Sequence, residues 1–228
     1  MVGTLDWTQR TGGRLSRRDH AAMAAQVVRS QLAQLPGVVR RRIERDPREI
    51  AIPDTAAARD AERQCDALPG GLPAHSRRTY LYGTILGEAD GLRQDAELLY
   101  VASMLHDVGV PEAHDDRCFT LWSAERALAW EDPRARRAAE AITLHLNPHV
   151  PPAQGVEAHL LRAGAGLDTI RLRAWELSRA TRRAVRELHP REGFPEAFRA
   201  LMVEHARQAP RTRSAWNMRY VRFGQLLR

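Results

Sequence analysis

Apolar positions recur at helical spacing along almost the whole chain, and no run alternates in the way a half-buried strand would. Ser16 is placed to cap a helix running to about Leu35, where Pro36-Gly37 would stop it. Asp54 or Thr55 would cap a second helix through Leu68, before Pro69, Gly70, Gly71 and Pro73. A third helix is predicted from Ala74 to Ala89. A fourth starts near Asp95 and carries Leu98, Val101, Ala102 and Leu105 on one face, a stripe that needs a core to cover it. It runs out at His106-Asp107-Val108-Gly109, with Gly109 and Pro111 as terminators. Further helices are predicted near 121–130, 133–145, 155–164, 172–188 and 195–208, with Pro133 suited to a first turn. Residues 1–15 read as irregular, broken at Gly12-Gly13. The pattern predicts an all-α fold in which residues 1–50 form an N-terminal helical extension on a helical domain spanning 51–228.

Charge changes this picture little. The 228-residue chain has a formal net charge of +7, and all 35 of its basic residues are arginine. They are interspersed with acids. Only Arg40-Arg41-Arg42 and Arg182-Arg183 are dense, and no aromatic residues interleave with them, so a nucleic-acid partner is not expected. No stretch approaches the ~20 apolar residues of a membrane span, and the segment MVGTLDWTQRTGG has no apolar signal core. Two cysteines, Cys65 and Cys118, make neither a disulfide framework nor a CxxC pair. A reducing cytoplasm and a small-molecule substrate are the expectations; homo-oligomerisation stays open.

The candidate chemistry lies in the histidines. His106 and Asp107 are adjacent at the end of an apolar helix, and imidazole with carboxylate suits Zn²⁺, Fe²⁺ or Mn²⁺. Taken alone, the dipeptide is equally well read as a histidine interacting with a helix C-terminus. The order His75 in AHSRRTY, His106-Asp107 in LLYVASMLHDVG and Asp168 in GAGLDTI goes further. It resembles the H…HD…D pattern of the HD-domain superfamily of metal-dependent hydrolases. The stretches IPDTAAARDAERQCDALPGGLPAHSRRTYLYG and AITLHLNPHVPPAQGVEAHLLRAGAGLDTI look like the branch similar to cyanamide hydratase.

That resemblance implies an HD-domain helical bundle with His75, His106, Asp107 and Asp168 as metal ligands. Dinuclear relatives place two more histidines between the HD pair and the last aspartate. Here 121–130 contains none, and His114 follows the pair too closely, so one ion is expected, Zn²⁺ or Fe²⁺ ahead of Mn²⁺. The implied reaction is addition of water to a nitrile-like group by metal-bound hydroxide, with Asp107 or His145 moving the protons. The alternative is hydrolysis of a nucleotide or other phosphate ester. Arg77, with Arg78 beside it, is the candidate to hold an anion. Thr120 and the bulky Trp122 fall in the segment that lines the pocket in similar proteins, and Trp122 would narrow it. Two other readings stay open: a di-iron oxygenase and a degenerate domain used only for binding.

Overall fold

The structure is a computed structural model that describes residues 1–38, 42–112 and 115–220. The described residues form eleven α-helices and no strand. Their only β-type pairings are two isolated bridges, Arg14 with Thr212 and Ile43 with Leu177. His114, Arg40 and Arg41 lie outside the described residues.

In chain order the helices are α1 (Leu5–Thr11), α2 (Arg17–Val38), α3 (Ala56–Asp66), α4 (Leu72–Ala89), α5 (Ala96–Leu105), α6 (Phe119–Leu128), α7 (Ala135–Leu144), α8 (Val156–Ile170), α9 (Arg179–Leu188), α10 (Phe194–Gln208) and α11 (Arg213–Tyr220). The boundaries follow local chemistry. Thr55 caps α3 by accepting from the Ala58 amide, and Asp95 caps α5 by accepting from the Leu98 amide.

Three boundaries depart from the expected pattern. α2 continues through Pro36-Gly37 to Val38. Residues 1–15 contain α1, capped by Thr4 and closed by Gly12 in the left-handed region at φ 65°. The segment 172–178 is not helical: Arg171 and Arg173 both sit at φ 58°, and Ile43 pairs with Leu177 there. α11 lies outside the predicted helices, since its 8 residues are too short for apolar spacing to repeat.

α4 is the central helix, buried along nearly its whole length from Leu72 to Gly87. A helix buried on every side needs neighbours all round. Its closest is α8, and glycine makes the approach feasible: a Cβ on Gly164 would collide with the carbonyl of Thr79. α5 and α7 complete the bundle around a core that includes Leu81, Tyr82, Leu98, Leu99, Ile142, Leu160 and Leu161. Leu5 of α1 joins this core, and its amide donates to Glu140 Oε2 at 2.5 Å. Val2, Trp7, Met23 and Trp216 make a second small core, which ties α1, α2 and α11 together.

Candidate metal centre

Three helices deliver the site. His75 lies in the first turn of α4, His106 is the residue that closes α5, and Asp107 follows it. His145 closes α7 in the same way. A residue just past a helix end is free to turn inward because the α-helical ladder no longer constrains the next position. This is how two adjacent residues, His106 and Asp107, serve one point.

The HDVG turn depends on close packing as well. Gly109 lies against α6, where a Cβ would overlap the Phe119 carbonyl, and its amide donates to Ser123 Oγ at 2.9 Å.

One ligand atom from each of His75, His106 and Asp107 lies within 4.8 Å of the others, and all three residues are buried. His145 Nε2 is 3.9 Å from Asp107 Oδ1. The hydrogen bonds on the far side of each ring set its protonation. His106 Nδ1 faces the Ser103 carbonyl at 2.8 Å, and His145 Nδ1 faces the Ile142 carbonyl at 2.6 Å. A carbonyl only accepts, so both Nδ1 atoms carry the proton. His75 Nδ1 faces Asp168 Oδ2 at 2.7 Å and does the same. In the neutral rings, all three Nε2 atoms therefore present bare lone pairs.

The charge states of His75, His145 and Asp107 fit this arrangement. Burial is the largest influence on His75 and His145, lowering the first and pushing the second down to about 3. For His106, burial is outweighed by the charge of Asp107, which raises its pKa. Asp107 is fully buried, yet the neighbouring imidazoles hold its carboxyl below the usual carboxylate range.

This donor set fits a divalent transition metal. His75 Nε2 and His106 Nε2 lie 3.3 Å apart, two acceptors with no proton between them when both rings are neutral. Asp107 Oδ2 is buried 3.2 Å from His106 Nε2 and has no hydrogen-bond donor while that ring is neutral. Converging lone pairs and an orphaned carboxylate oxygen call for a cation. Imidazole with carboxylate suits transition metals better than calcium.

A family profile described as the HD domain matches residues 74–221, well over half of the chain. The chain belongs to the HD domain family. HD domains bind divalent metals and make up a superfamily of metal-dependent hydrolases. No curated protein matches the chain.

One member of the HD pattern remains. Asp168, on α8, is within reach of His75 but stands on its far side from His106. Both of its oxygens are engaged by Arg78, Nε to Oδ1 at 2.9 Å and Nη2 to Oδ2 at 2.7 Å. Arg78 Nη1 also donates to the carbonyls of His189 and Pro190, so the guanidinium is fully used.

The structure does not bring the other expected substrate contacts to the centre. Arg77 pairs with Asp66 at 2.8 Å, away from the ligands. Thr120 is buried in a separate polar cluster, where it accepts from Arg213 and donates to Cys118 Sγ. Trp122 lies beneath the Arg117 guanidinium at 4.4 Å.

A cavity of about 430 Å³ opens on the HD residues. Its walls include His75, His106, Asp107 and His145, together with Ser30, Gln31 and Gln34 of α2 and Arg162 of α8. None of these α2 residues, nor Arg162, stood out in the sequence. The available signal was a polar stripe, Gln26, Ser30 and Gln34 at intervals of four, on a helix that would otherwise need an apolar inner face.

Proposed function

We propose that this HD-domain protein holds one divalent ion, Zn²⁺ or Fe²⁺, on His75, His106 and Asp107, and adds water to a nitrile-like carbon of a small molecule. The observation that carries the reading is the convergence of bare imidazole nitrogens and the orphaned Asp107 oxygen on one side of a small-molecule-sized cavity. A divalent ion bound there supplies Lewis-acid polarisation and lowers the pKa of a water it binds toward ~7.

The protein's own groups supply the rest. His75 is fixed by Asp168, and His106 by the Ser103 carbonyl, so neither ring needs to reorganise. His145 Nε2 is a neutral acceptor aimed at the same region, suited to orient a water by receiving its hydrogen bond. Asp107 Oδ1, on the His145 side, accepts the proton released as oxygen adds to carbon and returns it to nitrogen. Water and a nitrile give an amide with no other co-reactant.

Phosphate-ester cleavage is the competing reading, and the arginines beside the ligands weigh against it. Arg77 is paired with Asp66, and Arg78 is committed to Asp168 and two carbonyls. The test is a panel of cyanamide and simple nitriles against nucleoside monophosphates, with Zn²⁺, Fe²⁺ and Mn²⁺ each supplied. The expected result is metal-dependent amide or urea formation that disappears in Asp107→Ala. Robust phosphate release with no turnover of any nitrile would replace this reading.

A further inference from the structure

Buried or half-buried arginines in this fold are normally neutralised. Arg78 pairs with Asp168, and Arg173 pairs with Asp90 and Glu176. Arg162 is different. Nε donates to the Asn147 carbonyl at 3.3 Å, and Nη2 donates to the Pro148 carbonyl and to Ser30 Oγ at 3.1 Å. All three acceptors are neutral, and no carboxylate among the described residues forms an ion pair with it. Nη1 has no partner there, and the residue lines the cavity. Arg213 is also buried without a carboxylate partner, but it does not reach the cavity and has the Cys118 thiol beside it.

The cavity offers Arg162 no internal counter-charge. Asp107 is the one acidic residue among its lining residues, and it belongs to the metal centre. Burial accordingly pulls the Arg162 guanidinium down to about 10. Two carbonyls and a hydroxyl fix the orientation of the planar group, so an incoming ligand does not have to order it. Arg162 lines the same cavity of about 430 Å³ as His75, His106, Asp107 and His145, so a small molecule bound there can reach both the metal centre and the guanidinium.

We propose that Arg162 is an anion subsite of this cavity and that the substrate carries a negatively charged group, a carboxylate or a phosphate, at the end remote from the reacting carbon. The inference rests on the hydration reading for what happens at the other end. Here the charged group is recognised rather than transformed. The cavity then selects acids over neutral compounds of the same size, because only an anion neutralises a charge the fold leaves uncompensated.

Titration calorimetry on the purified, metal-containing chain tests it. The probes are cyanoacetate, 3-cyanopropionate and 4-cyanobutyrate, their uncharged primary amides, and inorganic phosphate. At least one anion should bind ten-fold or more tightly than its neutral counterpart, or, for phosphate, bind measurably. The preference should vanish in Arg162→Met and survive in Arg162→Lys, with the metal content of all three proteins equal. Phosphate binding without carboxylate binding, lost in Arg162→Met, supports the subsite and assigns the anion as phosphate. Equal binding of acids and amides, an anion preference that persists in Arg162→Met, or no anion binding at all overturns the proposal. The two readings fail separately. Arg162-dependent anion binding without nitrile turnover leaves the subsite and removes hydration, whereas nitrile turnover indifferent to charge and to Arg162 does the reverse.

Discussion

His75 Nδ1 stands 2.7 Å from Asp168 Oδ2, and Arg78 grips both oxygens of that same carboxylate. All three side chains are buried, so the imidazole is held in one tautomer with its Nε2 lone pair toward His106 and Asp107. In this arrangement Asp168 holds the His75 ring. Asp168→Asn should weaken metal binding about 10–100-fold, the usual cost of removing a carboxylate that orients a ligating histidine. Asp107→Asn should abolish it. Metal titration of both variants decides the matter, and equal, complete loss in both would put Asp168 on the ion itself.

Arg78 makes a separate stability prediction. Its partner Asp168 is fully buried, and the charge of Arg78 is part of what keeps that carboxyl ionised. Arg78→Met leaves the carboxylate with only His75 and the more distant Arg191, 3.7 Å away. Breaking a buried pair in this way costs about 3–5 kcal/mol. Denaturant unfolding should show the loss, and a change under about 1 kcal/mol would mean that the pair contributes little net stability.

Much of this was legible in the sequence, for physical reasons that differ by element. α3 and α5 announced themselves because a capping residue stands where the apolar spacing begins, as at Asp95 and the stripe from Leu98 to Leu105. His106-Asp107 was legible only through its place in the H…HD…D order with His75 and Asp168, because the dipeptide alone also reads as a histidine at a helix C-terminus. The roles of Arg77, Thr120 and Trp122 were not, because one residue of register on a helix turns a side chain by about 100°. Arg77 points to Asp66, while its neighbour Arg78 meets Asp168. The wall supplied by α2 was hidden for another reason. Ser30 and Gln34 line a cavity with residues more than a hundred positions away, and no local pattern encodes that distance.

Gly164 controls the approach of α8 to α4, and hence of Asp168 to His75. A methyl group there would meet the Thr79 carbonyl and the Gly83 amide, both backbone atoms that cannot rotate aside. Gly164→Ala should destabilise by at least the about 1–3 kcal/mol typical of overpacking. It should also lower metal affinity by shifting Asp168 from His75. Wild-type stability in this variant would mean that the helices separate at little cost.

The centre should bind one equivalent of divalent metal. His106→Ala and Asp107→Ala should each lose most of it, since each removes one of the three converging groups. Chelation should lower the unfolding midpoint, because an ion that binds only the folded state stabilises it by RT ln(1 + [L]/Kd). Elemental analysis showing two equivalents would overturn the mononuclear arrangement, and metal retained in both variants would remove the site.

The backbone carbonyl of His189 accepts from Arg78, and its ring provides a pH handle outside the metal centre. Burial, with the charges of Arg77 and Arg78, pushes its pKa down to about 4, against about 6.5 in an unfolded chain. Above pH 6.5 the ring is neutral in both states, and its contribution to stability is fully present. As pH falls below 6.5, the unfolded chain takes up a proton that the folded protein refuses, so stability drops until about pH 4, where the folded ring is charged as well. His189→Gln, neutral throughout, should flatten the fall between pH 6.5 and 4. It should not abolish it, because His75 and His145 are also depressed and act with the same sign. Denaturation midpoints of metal-free wild type and variant across that window measure the difference, and parallel curves would show that His189 titrates normally in the folded protein.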